Sequence, residues 1–176
     1  MSRESKNWLI DELGREFRVN GNHEHAFDNL AAERLGVNRT DLNCLDIIQR
    51  VGSVTAGQLA AESGLTTGAV TAVLDRLERA GYVRRVRDDV DRRRVMVEVT
   101  PRFQELAWEV WGPMKDDWDA LMRKHTNDEL EFLLGFMRES TNLSLRHIER
   151  LREEKGAEAV RRPVSRGKAA PARESP

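Results

Sequence analysis

The chain has 176 residues, with 29 basic and 30 acidic side chains, so its formal net charge is −1. Charged residues make up 34% and hydrophobic residues 39%, which excludes a wholly disordered chain, and no apolar run is long enough to span a membrane. The length predicts one compact domain with or without an extension. The near-neutral charge argues at first against nucleic-acid binding, because proteins with that function are usually basic.

The cysteine content and the N-terminus predict the cellular compartment. The single cysteine, Cys44, cannot form an internal disulfide, and the sequence has no cysteine-rich zinc motif. The first residues, MSRESK, lack the apolar core of a secretory signal. We therefore expect a cytoplasmic protein that has no contact with a membrane.

The N-terminal quarter of the sequence is helical in pattern. Apolar residues recur at helical spacing over residues 8–35. The pattern weakens over residues 19–22, where we expect an interruption, and Gly36 is a suitable end of the region. Thr40 or Asp41 is in a position to cap the next helix.

Two short helices separated by a glycine turn follow. Thr55 and Gln58 fit a capping box, in which the two side chains satisfy amide groups at the start of a helix. Gly64 supplies a turn residue that readily takes a positive φ. Thr66 or Thr67 then caps the second helix.

After the second helix the period of the sequence changes. Residues 82–87 are strand-like, and residues 94–100 alternate with period two, which places Val95, Val97 and Val99 on one face. The polar residues between them form the tip of a hairpin. Two short helices, a glycine turn and a two-stranded hairpin together describe a winged helix-turn-helix.

The remaining sequence predicts two long helices. Pro101 suits the first turn of one helix, and the Gly-Pro pair at 112–113 predicts a kink within it. A second capping box, formed by Thr126 and Glu129, opens another helix that ends near residue 154.

The net charge conceals an uneven distribution. Residues 76–102 hold nine basic and five acidic residues, a balance of +4. Residues 155–176 also carry +4, contain three of the five prolines and have few large apolar side chains, so we expect a disordered tail. The rest of the chain carries −9. A basic segment on an acidic body removes the objection to DNA binding, to which the tail adds non-specific attraction or serves only solubility.

The winged helix-turn-helix predicts which residues contact DNA. Its second helix enters the major groove, where small polar residues at the N-terminus let the backbone approach base edges and phosphates. Two arginines further along this helix would reach phosphates, and three at the wing tip are placed to enter a neighbouring minor groove. The predicted DNA-binding set is Thr66, Thr67, Gly68, Ala69, Thr71, Arg76, Arg79, Arg92, Arg93 and Arg94.

Three stretches of the sequence resemble the MarR family of bacterial transcriptional regulators. They are residues 31–42, residues 66–83 and residues 91–101, the last of which reads DRRRVMVEVTP. The family's wing pattern is Asp-x-Arg, five residues and then Leu-Thr, and Val99 stands here for the leucine. The resemblance implies a mainly α fold with a small β-hairpin wing, in which a winged helix-turn-helix is joined to a helical dimerisation domain.

The resemblance also implies an assembly and a mechanism. Residues 1–39 and 101–154 would form the dimerisation helices of a homodimer, and residues 40–100 its DNA-binding domain. Arg93 would enter the minor groove, with Asp75 of the recognition helix orienting it. The partner would be double-stranded operator DNA. A small aromatic or phenolic ligand, bound between the two parts, would release a repressor from that DNA.

Several features have alternative interpretations. The winged helix could serve as a protein-interaction module without a DNA function, and Asp75 could simply pair with Arg79 one turn later. Cys44 lies among apolar residues, which favours a core position over a redox sensor. His23 and His25 face opposite ways on a helix, which disfavours a shared metal ion.

The four tryptophans, Trp8, Trp108, Trp111 and Trp118, could line a ligand cavity, although aromatic residues at helical spacing more often belong to a core or a dimer interface. The sequence shows neither a catalytic constellation nor a phosphate-binding loop. A metal- or thiol-dependent enzyme would have to rely on Cys44 and scattered histidines. We therefore expect no enzymatic activity, cofactor or metal.

Overall fold

A computed structural model describes residues 3–88 and 91–161 of the chain. These residues form, in order, α1 (Arg3–Leu35), α2 (Arg39–Val51), β1 (Val54–Thr55), α3 (Ala56–Ser63), α4 (Thr67–Arg79), β2 (Val83–Arg87), β3 (Val95–Val99), α5 (Pro101–Met122) and α6 (Asn127–Arg161). The predicted fold class, mainly α with a small β-hairpin wing, is confirmed. The chain divides into two compact units, residues 1–117 and 118–176. Within the described part, none of the helices is both long and apolar enough to cross a membrane.

One hydrophobic core holds the first unit together. Its apolar side chains recur every three or four residues along α2 and α4 and every second residue along β3, so each element turns one face inward. Removal of this surface from water is the main stabilising contribution. The largest fully buried side chains are Phe103, Leu45, Ile48, Leu59, Leu74, Leu77, Val54, Val70, Val73 and Val97.

The helix-turn-helix forms as the capping residues predict. The Thr55 hydroxyl oxygen accepts from the Gln58 amide at 3.2 Å, while the Gln58 side chain accepts from the Thr55 amide at 2.9 Å. Gly64 takes φ +70° at the end of α3, a left-handed conformation that favours glycine. Thr66 caps α4 by accepting from the Ala69 amide at 3.3 Å. Local hydrogen bonds therefore set the bounds of α3 and α4.

The wing belongs to a three-stranded antiparallel sheet with the order β1-β3-β2. The short strand β1, which sequence periodicity did not predict, pairs Val54 with Val97 of β3. Of the three valines expected on one face, Val97 and Val99 are buried, whereas Val95 is 51% exposed. Val95 pairs with Arg87 at the last rung of the β2–β3 ladder, beyond the reach of the core.

The helices near the N-terminus differ from the predictions at two places. Helix α1 continues through residues 19–22 without interruption, and the Asn20 side chain donates to Glu24 one turn later at 2.8 Å. Asn38 caps α2, since its side-chain oxygen accepts from the Asp41 amide at 2.9 Å. Helix α5 is assigned as one helix on both sides of Pro113, and the kink at this residue stays a prediction.

In the second unit, the predicted capping box at the start of α6 is confirmed. The Glu129 carboxylate accepts from the Thr126 amide at 2.8 Å, and this bond contributes most to a lowered pKa of Glu129. The helix then continues to Arg161, seven residues beyond the predicted end. The remainder of the predicted tail, residues 162–176, lies outside the described residues, as do positions 89 and 90 of the hairpin tip.

Candidate nucleic-acid interface

The first turn of α4 presents a small, polar and accessible surface. Thr66, Thr67, Gly68 and Thr71 are exposed, and Ala69 is half-buried. The Thr71 hydroxyl donates to the Thr67 carbonyl oxygen at 3.0 Å, which orders its side chain on the helix. A Cβ added to Gly68 would have no atom within 4 Å. The space beside Gly68 is open, so another molecule can approach the backbone closely there.

The wing tip carries the three arginines that the sequence singled out. Arg92, Arg93 and Arg94 are all exposed. The turn is ordered by Asp91, whose carboxylate accepts from the Arg93 amide at 3.1 Å and whose carbonyl oxygen accepts from the Arg94 amide at 2.8 Å. Among the described residues, none accepts a hydrogen bond from the Arg93 guanidinium. The aspartate of the wing pattern thus shapes the turn and leaves the arginine side chains available.

Asp75 has a different partner from the one that the resemblance implied. Its carboxylate accepts from Nη2 of Arg85 at 2.7 Å, whereas Arg93 is not within pairing distance. Glu78 binds Nη1 of the same arginine. The reason is the strand period: Arg85 shares with the buried Val83 the face of β2 that turns toward the helices, and two carboxylates one turn apart on α4 meet it there.

Of the two arginines expected to reach phosphates, Arg76 instead forms an ion pair inside the protein. Its Nε and Nη2 donate to the two carboxylate oxygens of Asp41 at 3.1 and 2.6 Å, and the hydrogen bond to Asp41 raises the pKa of the guanidinium. Asp41 is only 3% exposed, so it needs this partner. Arg79 is exposed, and its Nε donates to the Asp75 carbonyl oxygen at 3.1 Å. Sequence reasoning also considered Asp75 as a partner of Arg79, and the contact is through the backbone only.

Sequence reasoning missed Asp41 and Arg85 as parts of this region. For Arg85 a signal was present, because its place two residues after Val83 puts it on the inward face of β2. For Asp41 the signal was weaker: it lies three and four residues before the buried Cys44 and Leu45, so it was considered only as a helix cap. A carboxylate on a buried helix face requires a cation from another element, and sequence spacing does not identify which one.

The structure gives no support to the alternatives built on cysteine and histidine. Cys44 is fully buried, and burial raises the pKa of its thiol to about 11, with a further contribution from the negative charge of Asp41. The thiol is therefore protonated and inaccessible at neutral pH. His25 Nδ1 accepts from Arg39 Nη2 at 2.6 Å. The described residues contain no group of three or more potential metal ligands.

A cavity of about 640 Å³ lies in the first unit between α2 and α5, with one residue of α1. Two of the four tryptophans, Trp108 and Trp111, line it, and Phe27 packs edge-on against Trp111 at a centroid distance of 6.3 Å. A Cβ on Gly112 would lie 3.1 Å from the Trp108 ring, which is closer than ordinary van der Waals contact. The absence of a side chain at Gly112 therefore leaves room for the ring. The lining residues are Asp28, Arg39, Leu42, Asn43, Asp46, Gln49, Phe103, Gln104, Ala107, Trp108, Trp111, Gly112 and Lys115.

The base of the wing is attached to α1 and α5 as well as to α4. The Tyr82 hydroxyl donates to the Leu35 carbonyl oxygen at 2.8 Å, and the Tyr82 ring packs against Phe103 at a centroid distance of 5.6 Å. The Thr100 hydroxyl donates to the Gly81 carbonyl oxygen at 2.7 Å. These contacts join the start of β2 and the end of β3 to the elements that surround the cavity.

Comparison with known proteins assigns the chain to a family. A family model described as the MarR family matches residues 35–94, from the end of α1 to the wing tip. The chain is 36% identical over 152 residues to the uncharacterized HTH-type transcriptional regulator YcgE of Bacillus subtilis (strain 168). The aligned region covers 86% of this chain and 99% of YcgE.

Solved structures agree with this assignment. The transcriptional regulator PA4135 is 25% identical with a TM-score of 0.51, over 74% of this chain and 96% of that one. A crystal structure of MarR is also 25% identical, with a TM-score of 0.50, over 76% of this chain and 98% of that one. None of these supports the alternative of a protein-interaction module. The chain thus belongs to the MarR family and is a DNA-binding transcriptional regulator built on a winged helix-turn-helix.

Proposed function

We propose that this protein represses transcription by binding operator DNA as a homodimer, with α4 of each subunit in the major groove and Arg93 of each wing in the adjacent minor groove. The observation that carries the proposal is the combination of an exposed, small-residue first turn on α4 with an exposed Arg93 that has no carboxylate partner in the described part of the chain. We place this activity in the cytoplasm.

The remaining residues of the predicted set keep supporting roles in this proposal. Thr66, Thr67, Gly68, Ala69 and Thr71 form the surface that approaches base edges, and Arg79, Arg92 and Arg94 supply charge toward phosphates. Arg76 acts through α4, since its guanidinium holds Asp41. Thr methyl groups can contact thymine methyl groups in the major groove.

Apolar side chains on two helices support the homodimer. Leu9 and Leu13 of α1 are exposed one helical turn apart, and the same is true of Leu145 and Ile148 on α6. Apolar stripes on exposed helix faces are typical of protein–protein interfaces. A second copy of the chain would cover them and bring two recognition helices to two half-sites of one operator.

We expect Arg93→Ala to weaken specific DNA binding about tenfold, because a minor-groove arginine contact would be lost from each wing. The probe is a duplex that carries the sequence most enriched among DNA fragments cross-linked to the protein in its own cells. Binding is measured by filter retention over a salt series. The slope of log affinity against log salt should become shallower, since fewer counterions are released.

The control for this experiment is Arg84→Ala, which removes an equal charge from the face of β2 opposite Arg85, where Arg84 pairs with Glu98 at 3.1 Å. Its affinity should stay within about twofold of the wild type, because exposed ion pairs contribute little. Unaltered affinity of Arg93→Ala would refute the role of Arg93. Absence of salt-dependent binding by the wild type would refute the operator function altogether.

We further propose that the cavity between α2 and α5 binds a small aromatic or phenolic ligand that weakens DNA binding. Aromatic rings and amide side chains line it together, which suits a compact ring with a polar substituent. Its walls lie against the elements that hold the base of the wing through Tyr82 and Phe103. A ligand there would bias the position of the winged helix relative to the rest of the first unit.

Phenol and benzoate are suitable probes of this cavity, because Trp108 and Trp111 lie in its wall. At least one of them should quench tryptophan fluorescence saturably and lower the affinity for the duplex. Asn43→Phe should abolish the response by filling the cavity from α2, whereas Thr40→Phe, at an exposed position of α2 outside the cavity, should keep it. Absence of quenching by both probes, or an equal response of Asn43→Phe, would contradict the proposal.

A further inference from the structure

The middle of the wing is fastened to the recognition helix by one arginine. Arg85 lies on β2, and its two terminal nitrogens bind two carboxylates of α4, Nη2 to Asp75 at 2.7 Å and Nη1 to Glu78. Asp75 and Glu78 are one helical turn apart, so they approach the guanidinium from two positions and fix its orientation. Both carboxylates raise the pKa of Arg85.

We propose that Arg85 is a positioning residue, which sets the place of Arg93 in the minor groove relative to the first turn of α4 in the major groove. This inference rests on the proposed function of Arg93. In this role Arg85 acts without a DNA contact of its own, because Asp75 and Glu78 hold its guanidinium against α4. Its role would be to fix the angle between the wing and α4, and hence the spacing of the two groove contacts.

The position of Arg85 in the hairpin allows it to influence where Arg93 lies. Arg85 pairs with Val97 at the middle rung of the β2–β3 ladder. Arg93 lies in the turn before β3, two residues beyond the Arg87–Val95 pair that ends the ladder. A small change in the tilt of the hairpin at Arg85 therefore moves Arg93 through a larger distance. Beyond the last ladder pair, Arg87 and Val95, the Asp88 amide donates to the Arg94 carbonyl oxygen at 3.1 Å, so the tip moves together with the strands.

The arrangement is better suited to positioning than to stability. Asp75, Glu78 and Arg85 are each about a third exposed or more, and ion pairs at such positions contribute little to the free energy of unfolding. Removal of Arg85 should therefore leave the fold intact. Its effect should appear in DNA binding, and specifically in the contact that Arg93 makes.

A double-mutant cycle between Arg85→Gln and Arg93→Ala tests the inference with the enriched duplex as probe. Arg85→Gln should weaken binding about fivefold in the wild-type background and less than about twofold in the Arg93→Ala background, because a residue that acts through Arg93 has little left to position. In the second background it should also leave the salt slope unchanged. Arg84→Gln is the matched control, on the opposite face of the same strand, and should change affinity less than twofold in both backgrounds.

A charge exchange provides a second measurement. Arg85→Glu alone brings three carboxylates together and should weaken binding more than Arg85→Gln, while Arg85→Glu combined with Asp75→Arg should recover part of the loss. Melting temperatures of all variants should stay near that of the wild type.

The possible outcomes separate the inference from the proposed function. Wild-type affinity of Arg93→Ala refutes the proposed role of Arg93. If Arg93→Ala weakens binding but the two losses multiply, or if Arg85→Gln lowers the salt slope by about 0.9 per lost contact in both backgrounds, Arg85 contacts phosphate directly and only the inference is overturned.

Discussion

The substitution Leu145→Glu in α6 is expected to lower the affinity for an operator duplex by about 10²–10⁴-fold, the largest effect that we anticipate for a single change. Leu145 is 50% exposed, on a helix whose apolar residues include Met137 and Ile148 at matching spacing. In the proposed homodimer a charge at this position would be buried without a partner, which disfavours association. A monomer binds one half-site and loses the gain of simultaneous binding to the second.

Light scattering coupled to size-exclusion chromatography would report the mass of the variant, and filter retention its affinity. Arg146→Glu is the matched control, because it introduces the same side chain at the next residue, which points about 100° away from Leu145 around the helix. It should remain dimeric and bind as the wild type does. A Leu145→Glu protein that is still dimeric would show that this face of α6 is not the dimer interface.

The second large effect is expected from Arg76→Ala, which should lower the melting temperature by about 5 °C or more. The change removes the partner of Asp41, whose carboxylate is 3% exposed and would be left buried and charged. The pair also joins α2 to α4, so both the core and the recognition helix would be affected. Thermal unfolding followed by circular dichroism provides the measurement.

Two further variants isolate the cause of this loss. Asp41→Asn in the Arg76→Ala background removes the stranded charge and should recover part of the melting temperature, whereas Arg79→Ala, three residues along the same helix, should change stability by no more than about 0.5 kcal/mol. A melting temperature of Arg76→Ala equal to that of the wild type would contradict the structural role. If Arg76 met a phosphate instead, as the sequence first suggested, the variant would lose about 0.9 of the salt slope.

The elements whose ends are set by local chemistry were predictable from the sequence. The capping boxes at Thr55 and Thr126 and the turn at Gly64 depend on residues within four positions of one another, and all three formed as predicted. The valine alternation likewise predicted β3. The two-residue strand β1 could not be predicted in this way, because its identity as a strand depends on pairing with Val97, more than forty residues later.

In the candidate site, too, the features set by element order could be predicted, whereas the ion pairs between elements could not. The exposed first turn of α4 and the wing-tip arginines followed from the order of the elements, since a winged helix-turn-helix fixes which residues lie outermost. The partners of Asp41 and Asp75 did not follow, because each pairs with an arginine on another element, 35 and 10 residues away. The sequence offers many arginines in this basic segment, and only the packing of β2 against α4 distinguishes Arg85 from its neighbours.

The open space beside Gly68 has a consequence for how such a regulator can change over time. A Cβ added at this position would meet no atom of the protein within 4 Å, so the first atom of a side chain fits there without displacing a neighbour. Replacement there need not be accompanied by compensating changes in the core. A substitution at Gly68 can therefore change the surface that α4 presents to DNA bases while the buried residues of the core keep their contacts.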